Sequence, residues 1–142
     1  MIGDLQAAHT AIYTALKAVS AITEEIGGAT NPRIFSEIAE QGKAFPLILI
    51  QTLPSRDDSK TATGMERIFA NANLRIVGIN KSRLFNAVLK TEIDAAIDRQ
   101  SFLIGDNRIM SISRDKEYRR MLVDTAGVTY AWAGGDYSVT IR

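Results

Sequence analysis

The chain has 142 residues, a formal net charge of +1 and no cysteine. That length predicts one domain that folds without a staple, and the absence of cysteine excludes disulfides, thiolate catalysis and zinc ribbons. The near-neutral charge argues against a strongly basic nucleic-acid module, and no apolar run approaches the roughly 20 residues of a membrane span.

Residues 1–9 carry Asp4 and no basic stretch, so they do not read as a signal peptide. Asp4 reads instead as the N-cap of a first helix. Leu5, Ala8, Ile12, Leu16, Val19 and Ile22 recur at steps of three and four, which predicts one amphipathic helix of about five turns. Gly27 and Gly28 end it, because glycine takes the left-handed conformation that helix ends often need. Glu24 and Glu25 sit near the C-terminal end, where the helix dipole disfavours negative charge. Fraying or a basic neighbour is expected there.

Asn31-Pro32 opens a turn, and residues 33–38 read as a short extended piece at a sheet edge. Residues 40–43 are loop. Phe45, Pro46, Leu47, Ile48, Leu49 and Ile50 form an apolar run that predicts a strand buried on both faces. Its proline is tolerable at the start, where no ladder donor is required. Residues 55–66 are the most polar stretch and show no period. They read as a long hairpin loop joining two antiparallel strands, and loops of that length usually have a function or are disordered.

The organising stretch is residues 67–99. Ala70, Ala72, Leu74 and Ile76 alternate with Asn71, Asn73, Arg75 and Val77, a strand with one face on a core and the other mostly in water. Ser82 reads as the cap of a second helix. Phe85, Leu89, Ile93 and Ala96, widened by Val88 and Ile97, form its apolar stripe. Gly105-Asp106-Asn107 is a turn, and residues 108–114 form a strand with Met110 and Ile112 on one side. The charged segment 114–120 reads as a turn or a short helix. Met121, Leu122 and Val123 return to the core, and Val128, Tyr130 and Trp132 alternate. Gly134-Gly135-Asp136 reads as a bend before a terminal strand carrying Tyr137, Val139 and Ile141.

The order helix, short strand, strand, strand, helix and two or three strands predicts an α+β two-layer sandwich. Two long helices would lie on one face of a mostly antiparallel sheet. The other face must then be wet, or covered by another copy of the chain.

No residue constellation carries chemistry. His9, the only histidine, has no flanking partner at ligand spacing and reads as a surface or half-buried helix residue. Glu92, Asp94 and Asp98 read as the solvated flank of the second helix. Asp57 and Asp58 lie in a loop without the further carboxylates and turn glycine of a calcium site. Gly27-Gly28 ends a helix and Gly134-Gly135 lies between strands, so neither forms a phosphate cradle. The serines lack a nucleophile elbow. Arg108, Arg114, Lys116, Arg119 and Arg120 alternate with Asp115 and Glu117, which favours a salt-bridged surface or protein interface over nucleic-acid contact. Tyr130, Trp132 and Tyr137 read as core or sheet-face packing, although such aromatics also suit interfaces. No catalytic, metal-binding or cofactor-binding residue is expected.

The layout also resembles a known family. An alanine-rich first helix precedes Arg33-Ile34-Phe35 and then the 45–50 apolar run. A polar loop leads to Ala72-Asn73-Leu74-Arg75-Ile76-Val77, Asn80-Lys81-Ser82 opens the second helix, and Tyr137-Ser138-Val139-Thr140-Ile141 closes the chain. This resembles the tail terminator, or tail completion, proteins of long-tailed bacteriophages and phage-derived particles, over nearly the whole chain. The resemblance implies a single tail-terminator-like domain over 1–142 and a structural virion protein, not an enzyme. It implies a homohexameric ring that caps the tail tube, ends its elongation and meets the head-completion proteins. DNA would pass through its lumen without sequence-specific binding. It also implies a place at the head-proximal end of the tail, and the host cytoplasm during assembly. On that reading Arg56, Asp57, Asp58, Lys60 and Arg67 are expected partner contacts. Two alternatives stay open: a head–tail connector of the same particle, and a small α+β ligand-binding domain or enzyme.

Overall fold

The computed structural model describes residues 2–28, 30–38, 44–53, 70–82, 84–104 and 108–141. In chain order it holds α1 (Ile2–Lys17), α2 (Ser20–Thr23), β1 (Ile34–Ser36), β2 (Leu47–Leu53), β3 (Ala70–Asn80), α3 (Ala87–Ile97), β4 (Gln100–Ile104), β5 (Arg108–Val123) and β6 (Thr129–Ile141). The six strands form one sheet in the order β1-β2-β3-β6-β5-β4. Only β1 and β2 run parallel; the other neighbours are antiparallel. The α+β class therefore stands. Where a two-layer sandwich was expected, the sheet curls into a half-barrel and three helices accompany it. The loops predicted over 40–43 and 55–66, and the turn at 105–107, lie outside the described residues.

The first helix is two pieces. Backbone helix already begins at Ile2, so Asp4 lies within the first turn and is not the cap. Val19 is extended (φ −98°, ψ 112°) and breaks the run. The break re-aims the next turn so that Ile22 and Ile26 both reach the core. Apolar spacing alone could not report this, because it continues through Val19. Gly27 (φ +102°) and Gly28 (φ +92°) end the second piece as expected. A Cβ on Gly27 would lie 2.7 Å from the Arg33 guanidinium. Arg33 donates to the Glu25 carbonyl (3.4 Å) and the Pro46 carbonyl (3.1 Å), so the expected basic neighbour is present.

The main core lies between the helices and one sheet face. Ala8, Ile12 and Leu16 of α1, with Leu89, Ile93 and Ile97 of α3, pack on Ile48, Ile50, Leu74, Ile76, Val139 and Ile141. The second helix starts later than predicted. Asn86 is its cap, accepting from the Leu89 N–H (3.0 Å), while the Ser82 hydroxyl oxygen accepts from the Leu84 N–H one loop earlier. Phe85 thus precedes the helix, and Val88 faces solvent rather than widening the stripe. Leu47 to Ile50 are all buried, as a strand covered on both faces requires.

Two further expectations are corrected after α3. β4 was not foreseen. The charged segment 114–120 is neither turn nor helix but the middle of a 16-residue strand, β5. Arg114 pairs with Tyr137 and Lys116 with Asp136, so Asp115 is the extra residue of a bulge. The bulge reverses the alternation: Met110 and Ile112 face the helices before it, and Glu117 and Arg119 after it. That reversal erased the period of two. Gly134 and Gly135 likewise lie inside β6, not at a bend. A Cβ on Gly134 would meet the Ile76 carbonyl oxygen at 2.0 Å, so only glycine allows β3 and β6 this approach where the sheet curls.

Candidate functional site

The concave side of the half-barrel is the first surface of interest. Leu47, Leu49, Val77 and Ile79 form its floor, and Phe35, Phe45, Tyr118, Tyr130 and Trp132 close over them. This face is therefore neither wet nor left wholly to another copy, because the chain's own aromatic side chains cover much of it. Phe45 and Tyr130 pack with ring centroids 5.2 Å apart. Beside them an open groove of about 400 Å³ remains, walled by Glu37, Ile38, Leu122 and Trp132. Ile38 is 81% exposed at its rim.

The same face turns polar toward the far end of β2. The Arg75 guanidinium donates twice to Asp136 (2.8 and 3.2 Å) and lies 3.8 Å from the centre of the Tyr118 ring. The hydrogen bond to Asp136 raises the Arg75 pKa further. Lys116 adds a longer contact of 3.9 Å to the same carboxylate. Asp136 is buried, so the paired guanidinium is what makes its charge tolerable there.

His9 is half-buried, as read from the sequence, but it is not without partners. Its Nδ1 lies 3.1 Å from the Ser36 hydroxyl and its Nε2 3.0 Å from the Thr52 hydroxyl. Thr52 donates its hydroxyl proton to Glu37 (2.6 Å), and its backbone N–H donates to the same carboxylate (3.1 Å). The Thr52 oxygen must then accept from Nε2–H, leaving Nδ1 to accept from Ser36. Burial lowers the His9 pKa, against the pull of Glu37 at 3.6 Å, so the ring is neutral near pH 7. Glu37 reaches this position from a left-handed backbone (φ 67°), and its carboxylate takes the Thr52 N–H just beyond the last residue of β1. The cluster locks α1 to the β1–β2 edge. Its members lie 27 and 43 residues from His9, so local spacing could not reveal it.

The carboxylates of α3 are also more than a solvated flank. Asp94 accepts from the Tyr137 hydroxyl (3.0 Å) and from Arg114 (3.1 Å), and Asp98 accepts from the Arg114 backbone N–H (2.7 Å). Burial and Asp94 together push the Tyr137 pKa up. These bonds clamp α3 to the bulge and occupy an N–H on the exposed edge of β5, which has no β4 neighbour beyond Ile112. Part of the basic cluster is salt-bridged: Arg114 holds Asp94, Lys116 lies near Asp136, and Arg119 holds Glu117 at 2.8 Å beside Lys90 and lies over Phe85. Among the described residues, no three His, Asp or Glu side chains gather to hold a metal ion. Of the carboxylates, Glu37 alone approaches His9 among those residues. Arg56, Asp57, Asp58, Lys60 and Arg67 lie outside the described residues.

Two more apolar features face solvent. Leu84 and Val88 are 75% and 58% exposed at the start of α3. A second open groove of about 570 Å³ runs between the alanine side of α1 (Ala7, Ala11, Ala15) and Phe102, Leu103 and Ile104 of β4.

The model of the family described as tail completion protein gp17 matches residues 10–132. The chain belongs to this family. The match runs from α1 into β6 and includes both the groove and the bulged strand. A tail completion protein needs surfaces for other proteins, and the geometry above offers apolar grooves and salt-bridged edges. The fold is similar to that of a chain in the structure "Virion of native gene transfer agent (GTA) particle" (TM-score 0.64, 10% identity, 97% of each chain covered). No curated protein sequence matches the chain.

Proposed function

We propose that this tail completion protein is a structural component of a phage or phage-derived particle. In this reading it assembles as a homohexameric ring on the last ring of the tail tube. The ring ends tube elongation and presents a surface to the head-completion proteins. DNA crosses its lumen without sequence-specific contact. The chain acts as one tail-terminator-like domain over residues 1–142. It sits at the head-proximal end of the tail and assembles in the host cytoplasm.

The observation that carries the reading is the family match over residues 10–132. The likeness of fold to a chain of a gene transfer agent virion supports a place in such a particle. The apolar groove on the concave face and the exposed Leu84 and Val88 support a chain that is completed by protein neighbours. Arg56, Asp57, Asp58, Lys60 and Arg67 are the proposed contacts to the tube or the connector.

Deletion of the gene tests the reading. The expected result is tails of uncontrolled length that fail to join filled heads, seen by negative-stain microscopy. Tails of normal length joined to heads would overturn it.

A further inference from the structure

The outer edge of β5 is guarded along only part of its length. β4 pairs with it from Arg108 to Ile112. Beyond that, Asp98 takes the Arg114 N–H, the bulge at Asp115 interrupts the ladder, and Lys90 and Arg119 pin Glu117. Bulges and charges of this kind keep a sheet edge from pairing with another chain. The end of the strand is different. Asp124 donates its N–H across the hairpin to the Val128 carbonyl, so alternation along the β5–β6 ladder turns the N–H and C=O of Arg119, Met121 and Val123 away from β6. None of these groups has a partner among the described residues. Met121 and Val123 are 43% and 66% exposed beside them. Arg120 is exposed on the opposite face, with no ion-pair partner among the described residues. Main-chain groups, apolar side chains and a free cation thus stand open together on one edge.

We propose that Arg119 to Val123 accept an extended segment of a partner protein as a further strand, with a carboxylate opposite Arg120 and apolar side chains beside Met121 and Val123. Main-chain bonds to the outward groups hold the segment extended, the apolar contacts supply burial, and the carboxylate fixes the register. A second copy of this edge does not meet the requirement. Its Glu117 is held by Lys90 and Arg119. Its Asp124 is held by the N–H groups of Ala126 and Val128 and by the Tyr130 hydroxyl. Its Asp115 sits in the bulge, out of step with the ladder. The occupant is therefore a different protein that carries a free carboxylate beside apolar residues. This contact stands apart from the ring reading above, and neither requires the other.

A short capped peptide, serine-valine-threonine-valine-glutamate-threonine-serine, serves as the probe against the full chain. Laid antiparallel, it sets its valines opposite Val123 and Met121 and its glutamate opposite Arg120. With the peptide in excess, amide hydrogen exchange read by NMR should slow by about fivefold at Arg119, Met121 and Val123. It should stay unchanged at Arg120 and Leu122, whose N–H groups already face β6. That alternation identifies an added strand. Unchanged exchange throughout, or equal slowing at all of these residues, overturns the proposal. Alternate slowing that grows with chain concentration in the absence of peptide makes the occupant a second copy and overturns it as well.

Charge reversal gives an independent arm. Lysine in place of the peptide's glutamate should weaken binding by about fivefold, and Arg120→Glu should reverse the preference between the two peptides. Equal binding of both peptides to the parent chain overturns the proposal. Met121→Pro removes one outward N–H at an edge position, where proline is tolerated, so its urea midpoint should stay near that of the parent chain while the peptide no longer binds. Peptide binding retained by the folded Met121→Pro chain overturns the main-chain pairing. Tail length separates this contact from the ring reading. Failure of the peptide to bind leaves the ring reading standing, and normal tails after gene deletion leave this contact standing.

Discussion

Residues one position apart on the same strands meet different surroundings. On the helix side, Ile48, Ile50, Leu74 and Ile76 lie completely buried beneath elements drawn from both halves of the chain. On the concave side, Leu47, Leu49, Val77 and Ile79 are nearly as buried, yet their cover is the sheet's own curl and half-buried aromatic side chains. Equal burial therefore has two origins. The helix side is closed by packed secondary structure, and little of it is available to a partner. The concave side is closed only in part, and a groove remains where its aromatics stop. Assembly surfaces are expected on the side that the chain does not finish by itself.

Truncation of one residue on each face gives the largest expected contrast. Ile76→Ala should cost about 4 kcal/mol, because the overlying helices cannot collapse into the space left. Ile79→Ala should cost about 2 kcal/mol, because the open groove lets its neighbours relax. Urea titrations of both variants measure the gap, and equal losses would break the comparison. Next in size is a pair of added methyl groups. Gly134→Ala on the concave side meets backbone and should cost about 3 kcal/mol. Gly78→Ala on the helix side meets the branched end of Leu89 at 2.6 Å, which can shift, and should cost about 1 kcal/mol.

The smallest expected effect is a pH slope. Folding lowers the His9 pKa below its ordinary 6.5, so the unfolded chain binds the proton more readily. The stability this contributes is complete above pH 6.5 and is lost as the pH falls through the folded value. The urea midpoint should therefore drop between about pH 7.5 and 5.5, and drop less in His9→Asn. Identical slopes in the two proteins would show that the α1 lock does not titrate as described.

Much of the concave site was hidden in the sequence. The apolar run at Leu47 to Ile50 announced a strand covered on both faces, but not what covered it. Tyr130 and Trp132 alternated visibly, yet their meeting with Phe45 joins segments some 85 residues apart. The Arg75–Asp136 pair spans 61 residues and left no local trace. The charged stretch around Lys116 looked like a turn because one extra residue reversed its alternation.

Local order alone determined Leu89, Ile93 and Ile97 as the buried positions of α3, the alternation of β3 and the end of β6, the doubly buried β2 and the glycine stop after α2. Each depends on residues within a turn or a pleat of one another, which is the range over which periodicity acts. Tertiary structure alone decided the break at Val19, the cap at Asn86, the bulge at Asp115, the partners of His9 and the curl that turns one sheet face into a groove. Each of these balances a local backbone preference against contacts from distant segments, and only the folded chain holds both sides of that balance.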